Sequence, residues 1–151
     1  MVIELSSANI ITSIKATSHR EVAEIADADA KYRAEAGTEK QQEINRCIVE
    51  AVGRLQRRCI PFLTESFIGY RNDDLPLPET FKFEFDFSER RAVGKADALS
   101  PVMHSFVVEL ALSKFYSNVS QVELSNKHSL LAVEAGKELS LLLYHKNPPR
   151  V

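Results

Sequence analysis

The stretch Ser100-Pro101-Val102-Met103-His104-Ser105-Phe106-Val107-Val108-Glu109-Leu110-Ala111-Leu112-Ser113-Lys114-Phe115-Tyr116-Ser117 decides how this chain reads. Its only continuous polar line is Ser105, Glu109, Ser113 and Ser117, at steps of four, and apolar side chains fill most of the rest. A helix that is apolar nearly all round either runs through the centre of a domain or buries a second face against another chain. Serine followed by proline marks its start, because proline at the first helical position gives up no needed donor.

A break around Asn118 to Ser125 separates this third helix from a fourth, which Asn147-Pro148-Pro149 ends. The start of the fourth stays open, because Ser120 with Glu123 also matches a capping box. Leu131, Ala132, Ala135, Leu139 and Leu142 form its main stripe, while Leu130, Val133, Leu141 and Tyr144 occupy a different sector. Those extra apolar groups favour contacts between copies of the chain. The alternative is a monomer whose Phe-rich strand and amino-terminal segment cover the same faces.

Upstream, Phe81, Phe83, Phe85 and Phe87 alternate with Lys82, Glu84 and Asp86, a period of two that puts every aromatic on one face of a strand. A strand needs a neighbour, and three are open: Phe67 to Tyr70 across the proline loop, Val2 to Leu5, or another subunit. Arg71 to Thr80 has the composition of an exposed loop. Before it, Ile44, Ile48, Ala51, Val52, Leu55, Cys59 and Phe62 follow the 3.6-residue period of a core helix that Pro61 kinks or ends. Thr38 with Gln41 caps its start, and Ser18 with Glu21 predicts an earlier helix running to Gly37. On that first helix Val22, Ile25, Tyr32 and Ala36 share one side, interrupted by Asp29.

The expected fold is therefore mainly α: a bundle of about four helices with a short strand or hairpin and a proline-rich loop inserted in the middle. One helical domain, 1–151, divides into an amino-terminal segment and helix (1–37), a core helix (38–65), the loop and Phe-rich strand (66–97) and a carboxyl-terminal helical pair (98–147). A chain of 151 residues buries enough surface for a core without metal or disulfide support. Its 19 basic against 21 acidic side chains, and a pI of about 6.1, disfavour the broad basic surface of sequence-independent nucleic-acid binding. Cys47 and Cys59 stand ~18 Å apart along one helix, too far for a disulfide, and read as reduced thiols in a cytosolic fold. Neither a signal peptide nor an apolar run of spanning length is expected. The Asn118-Val119-Ser120 sequon then reads as a chance match.

No motif announces catalysis. His19, His104, His128 and His145 show no metal-ligand spacing, and His104, beside Val108, Ala111 and Phe115, reads as a satisfied buried histidine. The five glycines are isolated, and no nucleophile elbow accompanies the serines. The expectation is no enzyme, no metal and no cofactor. Arg46, Arg54, Arg57 and Arg58 cluster on one side of the second helix and suit phosphate or acidic protein contacts, though Glu43 and Glu50 allow local ion pairs to explain them. Arg90, Arg91 and Lys95 read either as solvated charges or as a loop tip or pore wall.

The helix near 39 to 62, the proline loop with Phe-Lys-Phe-Glu-Phe-Asp-Phe at 71 to 87, and Leu99-Ser-Pro-Val-Met-His-Ser-Phe-Val-Val-Glu-Leu-Ala-Leu followed by a last amphipathic helix together resemble the small head-tail connector (adaptor, head-completion or neck) proteins of tailed bacteriophages. The resemblance lies in element order, size and texture over most of residues 38 to 147, and the first 37 residues have no counterpart. It implies a virion structural protein, made in the host bacterial cytoplasm and placed in the neck, that forms a dodecameric ring between portal and tail for genome passage. Its partners would be its own copies, portal and tail or neck proteins, with non-specific DNA contact in the channel and no membrane. Phe81, Phe83, Phe85, Phe87, Val108, Leu112, Phe115, Leu130, Val133, Leu141 and Tyr144 are then expected at the subunit interface. Arg46, Arg54, Arg57, Arg58, Arg90 and Arg91 are expected to face DNA or partners. The competing class is a small helical regulatory or DNA-binding module of antitoxin-like type, whose arginine face would meet phosphates.

Overall fold

In a computed structural model the described residues are 1–64, 77–87 and 95–144. They form strand β1 (Val2–Ser6), helices α1 (Ser7–Val22), α2 (Ala28–Ala34) and α3 (Gln41–Cys59), strand β2 (Thr80–Glu84), and helices α4 (Lys95–Asn118) and α5 (Val122–Tyr144). The mainly helical fold with a small antiparallel pair agrees with the sequence reading. The nearly all-apolar helix, α4, is the central one: α1, α3, α5 and β1 all pack on it. Val102, Met103, Phe106, Val107, Val108, Ala111, Leu112, Phe115 and Tyr116 are all buried, which accounts for apolar side chains on every sector.

The Phe-rich strand finds its neighbour at the amino terminus. β1 pairs antiparallel with β2, setting Ile3 opposite Phe83 and Leu5 opposite Phe81, while Glu4 and Lys82 meet on the wet face at 3.7 Å. Leu63 bridges to Phe85, so residues after α3 add a short second neighbour. The alternative neighbour, Phe67 to Tyr70, lies outside the described residues. Because β1 lies against α4, the inner faces of both strands enter the core.

Three expectations about helix ends need correction. Ser18 does not cap a helix: α1 begins at Ser7, and Ser6 is its cap, accepting from the Asn9 amide. Ser18 sits buried in the last part of α1, donating to the Ala34 carbonyl and accepting from the Ala36 amide. Its hydroxyl thus ties α1 to the segment closing α2, a tertiary use that a local capping pattern cannot distinguish from a cap. The chain then breaks before α2, whose cap is Asp27, and Tyr32 is exposed instead of lying on a buried stripe. Lys40 closes α2 by donating to the carbonyls of Tyr32, Arg33 and Glu35 at 2.5 to 2.9 Å, the place where a cation satisfies orphan carbonyls.

The third helix starts at Lys95, not Ser100, with Pro101 inside it. Lys95 and Leu99 are buried, and their burial carries the helix through the proline's missing amide bond. Ser120 is not the cap of the last helix. It has φ 61°, its amide donates to Ser117 O and the next amide, Gln121, donates to Tyr116 O, so it closes α4 as the left-handed residue of a Schellman motif. A side-chain-bearing residue is strained there, so Ser120→Gly is expected to stabilise the protein by about 0.5–1 kcal/mol. A thermal midpoint raised by about 1–4 °C checks this. Thr38 with Gln41 does not cap α3 either: the helix starts at Gln41 after a 3-10 turn at Thr38–Lys40, with Lys40 in the cap position and no side-chain cap bond, whereas Pro61 lies, as expected, in the 3-10 turn Ile60–Phe62 that ends it.

Candidate functional site: a basic groove and a buried histidine

Two features rise above ordinary packing. The first follows from how α3 and α5 flank α4. Both lie along the central helix, each packs on it closely, and they leave a groove between them with α4 as its floor. Its middle, a cavity of about 450 Å³, has Arg54, Arg57 and Arg58 on the α3 bank, Phe106 and Leu110 beneath, and Ser129, Ala132 and Val133 on the α5 bank. Toward one end it runs through Arg54, Leu110 and Ser129 into a smaller hollow of about 190 Å³ lined by Cys47, Glu50, Lys114 and four serines. At the other end Arg58 leads into a shallow apolar hollow walled by Lys137, Ser140, Leu141 and Tyr144.

The arginines are not equivalent. Arg58 lies across α5, donating to Gly136 O at 3.2 Å and to Ser140 Oγ at 3.4 Å with its guanidinium 5.3 Å from the Phe106 ring centre. Gly136 makes room for it, since a Cβ there would stand 2.9 Å from the guanidinium carbon. Arg54 pairs with Glu50 at 3.8 Å, one turn back on the same helix. Arg46 and Arg57 are exposed, and Arg57 enters no ion pair among the described residues. Arg90 and Arg91 lie outside the described residues. Lys95 is buried, not at a loop tip: its ammonium donates to Leu142 O and lies 5.5 Å from the Phe87 ring centre.

The expected interface residues divide sharply. Phe81, Phe83, Phe85, Val108, Leu112 and Phe115 are in the core of one chain, and Phe87 is half-buried, stacked on Phe85 at 5.1 Å. None of the six buried ones can reach a neighbour, because β1, α1 and α3 already cover those faces. Leu130, Val133, Leu141 and Tyr144 are 67, 48, 74 and 62% exposed, so the surplus apolar surface foreseen for the carboxyl-terminal pair is real on α5 alone. Tyr144 also packs its ring edge-on to Phe62 at 4.9 Å.

The second feature was not foreseen as a unit. His128, 2% exposed, continues the buried stripe of α5 and has a carboxylate on each ring nitrogen. Nε2 meets Glu21 Oε1 of α1 at 2.7 Å, and Nδ1 meets Glu109 Oε2 of α4. Glu21 also accepts from Tyr116 Oη at 3.1 Å and from Lys127 Nζ at 2.7 Å. With acceptors on both sides, only the doubly protonated ring can donate both bonds, so His128 is an imidazolium joining three helices. Burial disfavours its charge, but the bonds to Glu109 and Glu21 outweigh burial and hold its pKa above the ordinary histidine value. Burial likewise works against the Glu21 carboxylate, and the bonds from Lys127, His128 and Tyr116 overcome it, leaving its pKa below the usual carboxylate value. Two acids against one histidine and one lysine leave the cluster neutral.

A sequence signal for this cluster exists. Glu109 is the one acid between Pro101 and Asn118 of α4, and His128 precedes Ala132, Ala135 and Leu139 by 4, 7 and 11 residues on the buried face of the next helix. A histidine on the buried stripe of one helix and a lone acid on the neighbouring helix call for each other. Glu21 could not be found that way, because the turns that bring α1 onto the pair are set by tertiary packing.

The remaining candidates are quiet. His104 bonds Ser13 Oγ at 3.2 Å, and burial lowers its pKa, as fits a satisfied histidine. Cys47 and Cys59 are buried free thiols, each pushed by burial to a pKa of about 12. Among the described residues no group of three or more His, Cys, Asp or Glu is arranged to hold a metal ion, and no helix is long and apolar enough to cross a membrane. Compared with protein-family models, with curated proteins and with solved structures, the chain matches none.

Proposed function

We propose that this chain is a virion structural protein of the head-tail connector kind, which assembles with its own copies into a ring between portal and tail and acts by geometry instead of by bond-making chemistry. The observation that supports the reading is the exposed apolar row Leu130, Val133, Leu141 and Tyr144 on α5, left in water while the equally apolar faces of α4 and β2 are covered from within. Burying such side chains against a neighbour is worth roughly 1.5–3 kcal/mol each before the cost of association, enough to drive assembly when several act together. The resemblance in element order and texture supplies the neighbours, portal and tail, and the neck of the virion as the place of action.

Electron microscopy and light scattering of the purified protein, alone and mixed with portal, test this. Rings, or a ring completed on portal, are the expected result, and Leu130→Ser with Leu141→Ser is expected to weaken assembly at least tenfold. A protein that stays monomeric at high concentration and leaves portal unbound overturns the reading. The exposed guanidiniums of Arg46 and Arg57 favour a second one, a small helical regulatory or DNA-binding module. Binding of the isolated protein to duplex DNA that weakens steeply with salt, with a slope reduced by about one in Arg57→Ala, would support that alternative.

A further inference from the structure

The basic groove between α3 and α5 has a counterpart on the same molecule. From Glu21 to Glu39 the chain carries six acids against two bases, and Glu24, Asp27 and Asp29 stand exposed on the turn before α2 and on its first residues. Asp29 and Tyr32, three residues apart, share a face of α2, and Tyr32 is 64% exposed. Arg33 turns back to donate to the Asp29 carbonyl. The groove offers the opposite pattern: five bases, Arg54, Arg57, Arg58, Lys114 and Lys137, against Glu50, over an apolar floor.

We propose that this groove receives the acidic turn and α2 of a second copy of the chain. Opposite charge brings the two surfaces together, and Tyr32 supplies an aromatic anchor for the apolar strip of Leu110 and Val133. Length permits it: a seven-residue α2 is ~10 Å long, while α5 from Ser125 to Tyr144 borders the groove for ~28 Å. The two surfaces share no residue, so the contact is heterologous. Each copy offers one groove and one acidic corner, and the contact propagates head to tail until a ring closes or a filament grows. The inference rests on the self-association reading above and specifies the docking faces.

Two double variants test it by sedimentation velocity at low and high salt. Glu24→Lys with Asp29→Lys spoils the acidic corner, leaving the Asp27 cap intact; Arg57→Glu with Lys137→Glu spoils the groove, leaving the Arg58 contacts intact. Each alone is expected to associate at least tenfold more weakly than wild type. Mixed in equal amounts, the intact groove of one variant meets the intact acidic corner of the other and the reversed corner meets the reversed groove, so the mixture is expected to associate again, as alternating copies. All four substitutions in one chain are expected to restore assembly. Double variants that assemble like wild type, or a mixture that stays unassociated, overturn this docking while leaving self-association standing. Assembly lost in Leu130→Ser but unmoved by charge reversal assigns the contact to the Leu130 side of α5, outside the groove, instead. Wild-type protein that does not associate at all removes both readings.

Discussion

Phe83→Ala is expected to destabilise the protein by about 3–5 kcal/mol, the cost of emptying a core site that cannot fully collapse. The ring has no exposure, faces Ile3 across the sheet and belongs to the cluster that includes Leu99 and Leu112. Leu130→Ser and Leu141→Ser, by contrast, are expected to change stability by less than about 0.5 kcal/mol, because their side chains already stand in water. Urea unfolding of the three variants at a concentration where the protein is monomeric separates the two kinds of apolar residue. A small effect at Phe83 would mean that β2 does not rest on the helices and that its aromatic face is free after all.

The second large effect is expected at the imidazolium. His128→Ala leaves Glu21 and Glu109 facing each other across a cavity without the cation between them, and should cost about 3 kcal/mol, the scale of breaking a buried ion pair by removing one member. At about 2–4 °C per kcal/mol for a chain of this size, the thermal midpoint should fall by about 6–12 °C. The effect depends on pH with a definite sign. The His128 pKa is raised in the fold, so its contribution is complete below the ordinary value of 6.5 and is lost as pH rises through the raised one. The Glu21 pKa is lowered, so its contribution is complete above the ordinary 4.5 and is lost as pH falls through the lowered one. The groups facing the ring are Glu21 from α1, Glu109 and Tyr116 from α4 and Lys127 beside it on α5. The gap in stability between wild type and His128→Gln should therefore be widest between about pH 4.5 and 6.5 and narrow above that window. A gap that instead widens as pH rises would show that the ring is neutral in the fold.

How far a local pattern reaches is set by the range of each interaction. Periodicity is local, so the α3 stripe from Ile44 to Cys59 and the alternation at Phe81 to Phe85 were legible, and so was the need of the apolar α4 for cover on every side. Capping patterns are local too, but they are ambiguous: Ser18 with Glu21 has the spacing of a cap, yet Ser18 is a buried tie to Ala34 and Ala36, and Glu21 holds His128. Ser120 with Glu123 left the start of the last helix open, and the positive φ that closes α4 at Ser120 excludes the extended backbone that an N-cap requires.

What the sequence determined by itself was therefore how much apolar surface exists and with what period: a mostly helical chain with one aromatic strand and more greasy residues at its carboxyl end than a single stripe needs. Which of those residues face water was decided only by the tertiary structure. Cover is a non-local quantity: α1, α3 and β1 shelter α4 and β2, nothing in the described chain shelters Leu130 or Leu141, and contacts between residues about 80 to 107 positions apart brought Arg58 to Gly136 and Glu21 to His128. Neighbours so distant along the chain leave no mark on local spacing, because the groups on either side of each contact obey the period of their own helix alone.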